Sequence, residues 1–238
     1  MISKIELGEI SVDVSHKDIK NIHLSVNPPY GHVRISAPIR MDLDTIRIFA
    51  ISKLDWIKKE RRKMQEQERE TPREYLERES HYLWGKRYLM NIVEEDKVPE
   101  VRLGHKKIVL QVRPGATEEK KRAVVDEWYR ARLREKATPI IKKWESRLGV
   151  TVNKLFVQRM KTRWGSCNPQ KGYVRLNTHI AKKPEQCLDY LVLHEMIHIL
   201  EPTHNERFKV LLERFMPHWE HYRRILNQLP VSHESWRY

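Results

Sequence analysis

Two histidines and a glutamate in the spacing His-Glu-x-x-His are the residues of this chain whose arrangement indicates a specific chemistry. They are His194, Glu195 and His198. On an α-helix, side chains four residues apart lie one turn above each other, so both imidazoles can bind a single divalent ion. Glu195 then lies to one side of the two ligands, where a general base for a metal-bound water is needed. The spacing therefore predicts metal-assisted hydrolysis.

The motif needs a third ligand, because a catalytic zinc ion usually has three protein ligands and keeps a fourth position for water. His204 lies beyond a reversal of the chain at Pro202 and can return to the open side of the ion. A glutamate in the turn or on the following helix is the alternative, and the candidates are Glu201, Glu206, Glu213 and Glu220. The expected cofactor is one Zn²⁺ per chain, although imidazoles also accept other divalent ions.

The apolar residues around the motif predict the helix that must hold it. They recur with the two histidines at three- and four-residue intervals and are Leu188, Leu191, Val192 and Ile199. Pro184 suits the first helical turn, and Pro202 stops the helix just beyond Leu200. Strands at residues 152–157 and 173–177, joined by a loop, are expected to precede this helix. An amphipathic helix at residues 208–216 is expected to follow it and to continue or restart around Pro217 over residues 219–229.

The N-terminal part of the chain predicts a β-rich region with one long basic helix. Apolar alternation at residues 10–14, 22–26 and 33–37 predicts three strands of a small antiparallel sheet. From Asp42 the period becomes that of a helix, which carries six basic residues between Lys53 and Lys63, runs into the charged stretch at residues 65–70 and is expected to end at Thr71-Pro72. Further β-prone stretches occupy residues 82–93 and 101–112.

A turn at residues 113–115 is the preferred domain boundary. The predicted domains are therefore residues 1–114 and 115–238. After this turn, Thr117 is a suitable N-cap for a helix that is expected to reach Ala137. Pro139 is expected to break or kink the helix, which then resumes as far as Gly149.

The composition limits the classes of protein to which the chain can belong. A length of 238 residues is enough to bury a core, and the formal net charge of +14 attracts polyanions. Nucleic acid, or a protein bound to it, is therefore an alternative partner, although salt-bridged helix faces have the same composition. The two cysteines, Cys167 and Cys187, are expected to be reduced thiols. Without a signal peptide or an apolar run of membrane-spanning length, we expect a cytoplasmic protein.

Several motifs together resemble one known family. They are the segment Arg163-Trp-Gly-Ser-Cys167, the residues Asn177, Asp189 and Tyr190, and the histidine motif with His204 and Phe208. The chain resembles the YgjP-like metal-dependent hydrolases, a zincin family related to the SprT-like and WLM metallopeptidases. Met196 stands where that family more often has leucine, and the tryptophan that often follows the phenylalanine is absent.

The resemblance implies an α+β fold with a zincin-like metallopeptidase core. In such a core, helices pack on a small, mainly antiparallel sheet, here preceded by the β-rich and helical N-terminal region. The resemblance also implies zinc bound by His194, His198 and His204, with Glu195 catalytic, and a peptide or protein substrate. Hydrolysis of a non-peptide amide or ester uses the same chemistry and is an alternative. A third interpretation is a basic, nucleic-acid-associated protein in which the metal site is structural or regulatory.

An oxyanion formed during amide hydrolysis needs a hydrogen-bond donor or a cation besides the metal. The candidates are Arg163, His221 and Tyr222. A structural role is the alternative for each of them, and Arg163 with Trp164 can brace the loop against the active-site helix. Covalent catalysis by a serine or cysteine of the same loop is not favoured, since its segment contains no evident base.

Overall fold

Two separate hydrophobic clusters divide the computed structural model into two units, and the structure describes residues 2–27, 31–66, 74–160 and 163–228. The units meet in sequence between residues 72 and 73. The predicted boundary lay after residue 114. The difference arises because residues 74–112 share one hydrophobic cluster with the helices that follow them. Among the described residues, no helix combines the length and the apolar character that crossing a membrane requires.

The first unit is a four-stranded sheet with two helices. Its strands are β1 (Ile2–Leu7), β2 (Ile10–Lys17), β3 (His23–Asn27) and β4 (His32–Pro38), in the spatial order β1-β2-β4-β3. The predicted strands are present, but the expectation of an antiparallel sheet is wrong for β2 and β4, which are parallel. They can be parallel because the chain passes from β2 to β3 at the edge of the sheet and then returns through β4, which lies between β2 and β3. The helices are α1 (Leu43–Ser52) and α2 (Leu54–Glu66), so the predicted single helix is divided at Lys53.

The second unit begins with another four-stranded sheet. Its strands are β5 (Ser80–Leu83), β6 (Lys86–Glu94), β7 (Glu100–Leu103) and β8 (Lys107–Val112), in the order β5-β6-β8-β7. Leu83, Met90, Ile108 and Leu110 are buried in the larger hydrophobic cluster. The same cluster contains the active-site helix, so this sheet is part of the body that carries the candidate site.

Helix α3 (Glu118–Leu148) runs without interruption through Pro139. Thr117 caps its first turn and Gly149 ends it in a left-handed conformation, as predicted. The predicted break is wrong, because Pro139 lies on the exposed side, where the carbonyl group that it leaves unbonded is accessible to water. In the turn before Pro139, the carbonyl group of Arg134 accepts a hydrogen bond from the hydroxyl of Thr138, at 2.8 Å.

The last part of the chain places a three-stranded sheet beside the active-site helix. The strands are β9 (Lys154–Gln158), β10 (Gly165–Asn168) and β11 (Tyr173–Asn177), in the order β10-β11-β9. A short 3-10 helix (Thr178–Lys182) leads to α4 (Glu185–Leu200), which is followed by α5 (Glu206–Phe215) and α6 (Trp219–Gln228). The predicted α+β class is therefore observed, with sheets that mix parallel and antiparallel pairs.

Candidate active site

Three histidines converge at the C-terminal end of α4. One ring nitrogen from each of His194, His198 and His204 lies within 4.8 Å of the other two. The Nε2 atoms of His194 and His204 are 3.0 Å apart. Two nitrogen ligands around a tetrahedral zinc ion lie roughly 3.3 Å apart, given Zn–N bonds of about 2.0–2.1 Å. The three side chains therefore fit a single divalent ion, and within the described residues none of the four alternative glutamates belongs to the group.

Contacts behind the imidazoles set their orientation. Nδ1 of His198 lies 3.1 Å from the carbonyl oxygen of Glu201, a hydrogen bond that leaves Nε2 free to face an ion. The Nδ1 atom of His194 is buried and has no hydrogen-bond partner in the described part of the chain. Packing must hold that ring instead. The buried ring of Phe208 lies 4.7 to 5.0 Å from all three imidazoles, measured between centroids.

The start of α5 positions both Phe208 and the third histidine. Asn205 is the N-cap residue, and its Oδ1 atom accepts a hydrogen bond from the backbone N–H of Phe208, at 3.0 Å. This cap fixes where the helix begins, two residues after His204. His204 is exposed, whereas His194 and His198 are half-buried. The cluster is therefore closed on the protein side and open toward solvent.

Burial keeps the imidazoles of His194 and His198 neutral. Desolvation, together with the charges that His198 and His204 can carry, lowers the pKa of His194 to about 3. Burial also lowers the pKa of His198. A neutral imidazole has the lone pair that a metal ion needs, so these two residues are suited to act as ligands at neutral pH.

Glu195 lies beside the histidines in a buried position. Only 5% of its surface is exposed. Burial raises the pKa of its carboxyl group to about 8, while the positive charge of Arg163 opposes this shift. The backbone of Gly165 in β10 passes directly over the carboxylate, and a Cβ atom at this position would lie 2.6 Å from Oε1 of Glu195. The glycine of the loop motif therefore makes room for the acid.

Asn177 holds the loop that leads into β10. Its buried side-chain Nδ2 donates hydrogen bonds to the carbonyl groups of Met160, at 2.8 Å, and Arg163, at 2.9 Å. Its backbone N–H donates to the carbonyl of Trp164, at 2.8 Å. Met160, Arg163 and Trp164 are thus hydrogen-bonded to the end of β11. These bonds hold the following residue, Gly165, next to Glu195.

Comparison with known protein families matches residues 20–229 to one family, described as YgjP-like, metallopeptidase domain. The chain belongs to this YgjP-like family. The resemblance predicted from the loop and histidine motifs is therefore confirmed, and membership supports a metal-dependent peptidase. No curated protein matches the chain.

Two solved structures with some similarity to this YgjP-like chain are metallopeptidase zymogens. One is jannalysin of Methanocaldococcus jannaschii, with 22% identity and a TM-score of 0.35, covering 39% of this chain and 89% of that one. The other is abylysin of Pyrococcus abyssi, with 18% identity and a TM-score of 0.36, covering 39% of this chain and 94% of that one.

The three predicted oxyanion contacts occupy different surroundings. Arg163 is exposed and close enough to Glu195 for its charge to lower the pKa of that carboxyl group. The His221 ring packs against Tyr222 at 5.5 Å, and Tyr222 packs on the hydrophobic cluster. Within the described residues, no ring or hydrogen-bond contact joins His221 or Tyr222 to the three metal-site histidines.

Arg223 is a site residue that the sequence did not predict. It is exposed on α6, and its charge contributes to lowering the pKa of His194 and opposes the raised pKa of Tyr190. Helical spacing gave one indication that Arg223 lies near the inner side of α6. Trp219 and Leu226 are buried, and Arg223 lies one turn after Trp219. The packing of α6 on α4, which brings Arg223 to the site, cannot be read from that spacing.

Cys167, the cysteine of the loop motif, is unsuited to covalent catalysis. Cys167 and Cys187 are both free thiols. Burial, and next the nearby charge of Glu195, raise the pKa of Cys167 to about 11. A thiol with this pKa stays protonated near neutral pH, whereas the thiolate is the reactive form.

Proposed function

We propose that this YgjP-like protein is a zinc-dependent peptidase in which Glu195 is the general base. The observation that carries the proposal is the convergence of three imidazole nitrogens within 4.8 Å, two of them from the helix that also carries this buried glutamate. His194, His198 and His204 would hold the ion. The donor set of three neutral imidazoles is typical of catalytic zinc, which keeps one position open.

The mechanism divides the work between the ion and the protein. A zinc ion held by the three histidines would supply a water molecule whose pKa is lowered to about 7 and would polarise the carbonyl group of the substrate. Glu195 would take a proton at its carboxylate from the attacking water and deliver it to the leaving amine as the C–N bond breaks. Beside a divalent cation the carboxyl group ionises at lower pH than its own burial dictates, because an opposite charge favours the charged form. Gly165 and the phenyl ring behind the imidazoles exclude solvent from the protein side.

Two cations are available to stabilise negative charge on the substrate. The charge of Arg163 lowers the pKa of Glu195, and the charge of Arg223 lowers the pKa of His194. Both arginines are exposed to solvent. We propose that Arg163 contacts the developing oxyanion and that Arg223 contacts another part of the peptide. His221 and Tyr222 are less suited, since they contact each other and the hydrophobic cluster.

The decisive experiment compares wild type with Glu195→Gln, both loaded with zinc, on a library of unstructured peptides. We expect metal-dependent cleavage by wild type and a loss of at least about 10²-fold in the variant, because its amide cannot take up the proton. Zinc content, measured by elemental analysis, should stay at one ion per chain.

Glu206→Gln is the matched control, since this exposed glutamate lies close in sequence to His204 but outside the ligand group. It should cleave as well as wild type. Undiminished cleavage by Glu195→Gln would show that another group is the base. Stoichiometric zinc without any cleavage by wild type would instead favour a structural or regulatory metal site.

A further inference from the structure

The three-stranded sheet beside the active-site helix is built from an exceptionally basic segment. Residues 146–184 contain nine lysines and arginines and no aspartate or glutamate. The chain as a whole has 46 basic and 32 acidic residues, so this segment carries a large part of the surplus charge. All three strands β9, β10 and β11 lie inside it. Because the segment itself contains no acid, its basic residues can form salt bridges only with acids of other segments, as Arg159 does with Asp126 of α3 at 3.7 Å.

The two faces of this sheet differ in character. On the inner face, Val157, Val174 and Leu176 are buried in the larger hydrophobic cluster. Alternation along the strands directs their neighbours to the opposite, outer face. There, β9 contributes Lys154 and Phe156, and β11 contributes Tyr173 and Arg175, which pair with them across the parallel ladder.

The outer face carries two aromatic rings bordered by cations. The rings of Phe156 and Tyr173 are 5.6 Å apart at an interplanar angle of 65°. The Lys154 Nζ atom lies 4.9 Å and the Arg175 guanidinium carbon 5.1 Å from the centroid of the Phe156 ring. Lys154 is exposed and the other three residues are half-buried. This face therefore offers accessible ring surface and positive charge together.

The cations of this face have no acidic partner. Lys154 and Arg175 form no ion pair with any residue in the described ranges. The edge strand β10 adds only small polar groups to the same face, because Ser166 pairs with Arg175 and Asn168 pairs with Tyr173. An incoming anion would therefore meet unpaired positive charge and no repulsive carboxylate on the sheet.

We propose that this outer face binds single-stranded nucleic acid. Bases would stack on Phe156 and Tyr173, while Lys154 and Arg175, on flexible side chains, would turn outward to the phosphates. A duplex fits less well, since its bases are already stacked on each other. An acidic peptide would use the cations but lacks the regular series of planar bases that could stack on both rings. The proposal concerns a binding function and does not depend on the peptidase proposal.

The test measures fluorescence anisotropy of a labelled oligothymidylate of about 16 nucleotides, the upper end of the span that one small β-fold covers. The protein is the full-length, zinc-loaded chain, with the corresponding duplex as a second probe. We expect the single strand to bind more tightly than the duplex. Phe156→Leu and Tyr173→Leu should each weaken binding roughly tenfold, because each removes one stacking surface. Phe156→Tyr should retain binding.

Tyr82→Leu is the matched control for the rings, because Tyr82 is 37% exposed on a strand of the other sheet of this unit. It should leave the affinity unchanged. Glu195→Gln should also bind like wild type, which separates this test from that of catalysis. If the leucine variants at residues 156 and 173 bind like the Tyr82 control, or if the duplex binds as tightly as the single strand, the assignment is overturned.

Salt dependence tests the cations separately without risk to folding. Each phosphate contact with a single strand contributes about 0.7 to the slope of log affinity against log salt concentration. The double variant Lys154→Gln and Arg175→Gln should therefore lower the slope by about 1.4. Lys86→Gln with Lys107→Gln, two exposed lysines of the other sheet, should not change it. An equal change in both double variants would show only general electrostatic attraction and would contradict a specific face.

Discussion

The carboxylate of Glu195 is positioned by a residue that has no side chain. Gly165 brings backbone within van der Waals distance, and a Cβ atom there would lie 2.6 Å from Oε1 and 2.9 Å from Cγ of Glu195. Gly165→Ala should therefore push the carboxylate away from the ligand group. A displacement of about 1 Å can cost about 10²-fold in rate, so we expect kcat to fall by this order while zinc content stays unchanged.

Gly104→Ala is the control for this substitution. The nearest atom to a Cβ at that position is 3.3 Å away, on the flexible side chain of Lys107. Peptide cleavage should be unaffected by it. A Gly165→Ala variant with the kcat of wild type would mean that β10 does not constrain the base.

The sequence predicted the site residues to the extent that their arrangement is local. His194 and His198 are four residues apart on one helix, so their convergence depends only on helical periodicity. Whether His204 can be the third ligand depends on the direction of the short turn after α4. The sequence therefore left nearby glutamates as alternative third ligands. Gly165 and Arg223 reach the site through packing between segments far apart in the chain, which no spacing within one segment encodes.

At the scale of the element, the start of α5 connects helix stability to the metal site. Asn205→Ala removes the N-cap acceptor for the Phe208 N–H. Loss of such a cap costs about 1 kcal/mol, and fraying of the first turn would loosen both His204 and the ring behind the imidazoles. We expect weaker zinc affinity in competition with a chelator. Asn205→Asp, which keeps an acceptor at this position, should bind zinc like wild type.

The carboxylate of Asp189 on α4 is hydrogen-bonded to two neighbouring residues of α3. Asp189 accepts a hydrogen bond from the indole N–H of Trp144, at 2.7 Å, and from Lys143, at 2.9 Å. Trp144 is 1% exposed, so Asp189→Ala would leave its buried donor unpaired. We expect a loss of about 1–3 kcal/mol in the free energy of unfolding, measured with urea. Lys143→Ala, which removes only a part-exposed ion pair, should cost less than about 1 kcal/mol.

Predictions of elements failed where the outcome depends on neighbouring elements. Pro139 ends a helix in isolation, but here it lies on the exposed side of a helix held by its buried face. The parallel pairing of β2 with β4 follows from the place of β3 at the edge, which strand patterns do not specify. Strand β10 is only four residues long and contains Gly165, so its propensity is weak. It forms because β11 supplies a partner along its whole length.

At the scale of the whole molecule, the two hydrophobic clusters have no residue in common. Ile35 is fully buried in the cluster of the first unit, and Leu176 is fully buried in the cluster that contains α4. Ile35→Ala and Leu176→Ala should each cost about 2–5 kcal/mol locally, because each leaves a cavity. Since only the second cluster supports the histidines, Ile35→Ala should leave zinc affinity unchanged, whereas Leu176→Ala should weaken it.

Hydrogen exchange resolved by peptide segment separates the two effects. For Ile35→Ala, we expect lost protection in β2 and β4 and retained protection in α4, together with wild-type zinc affinity. For Leu176→Ala, protection should fall in β11 and α4. Equal loss of protection across the chain in both variants would mean that the two clusters unfold as one cooperative unit. In that case the first unit would contribute to the stability of the metal site despite its separate core.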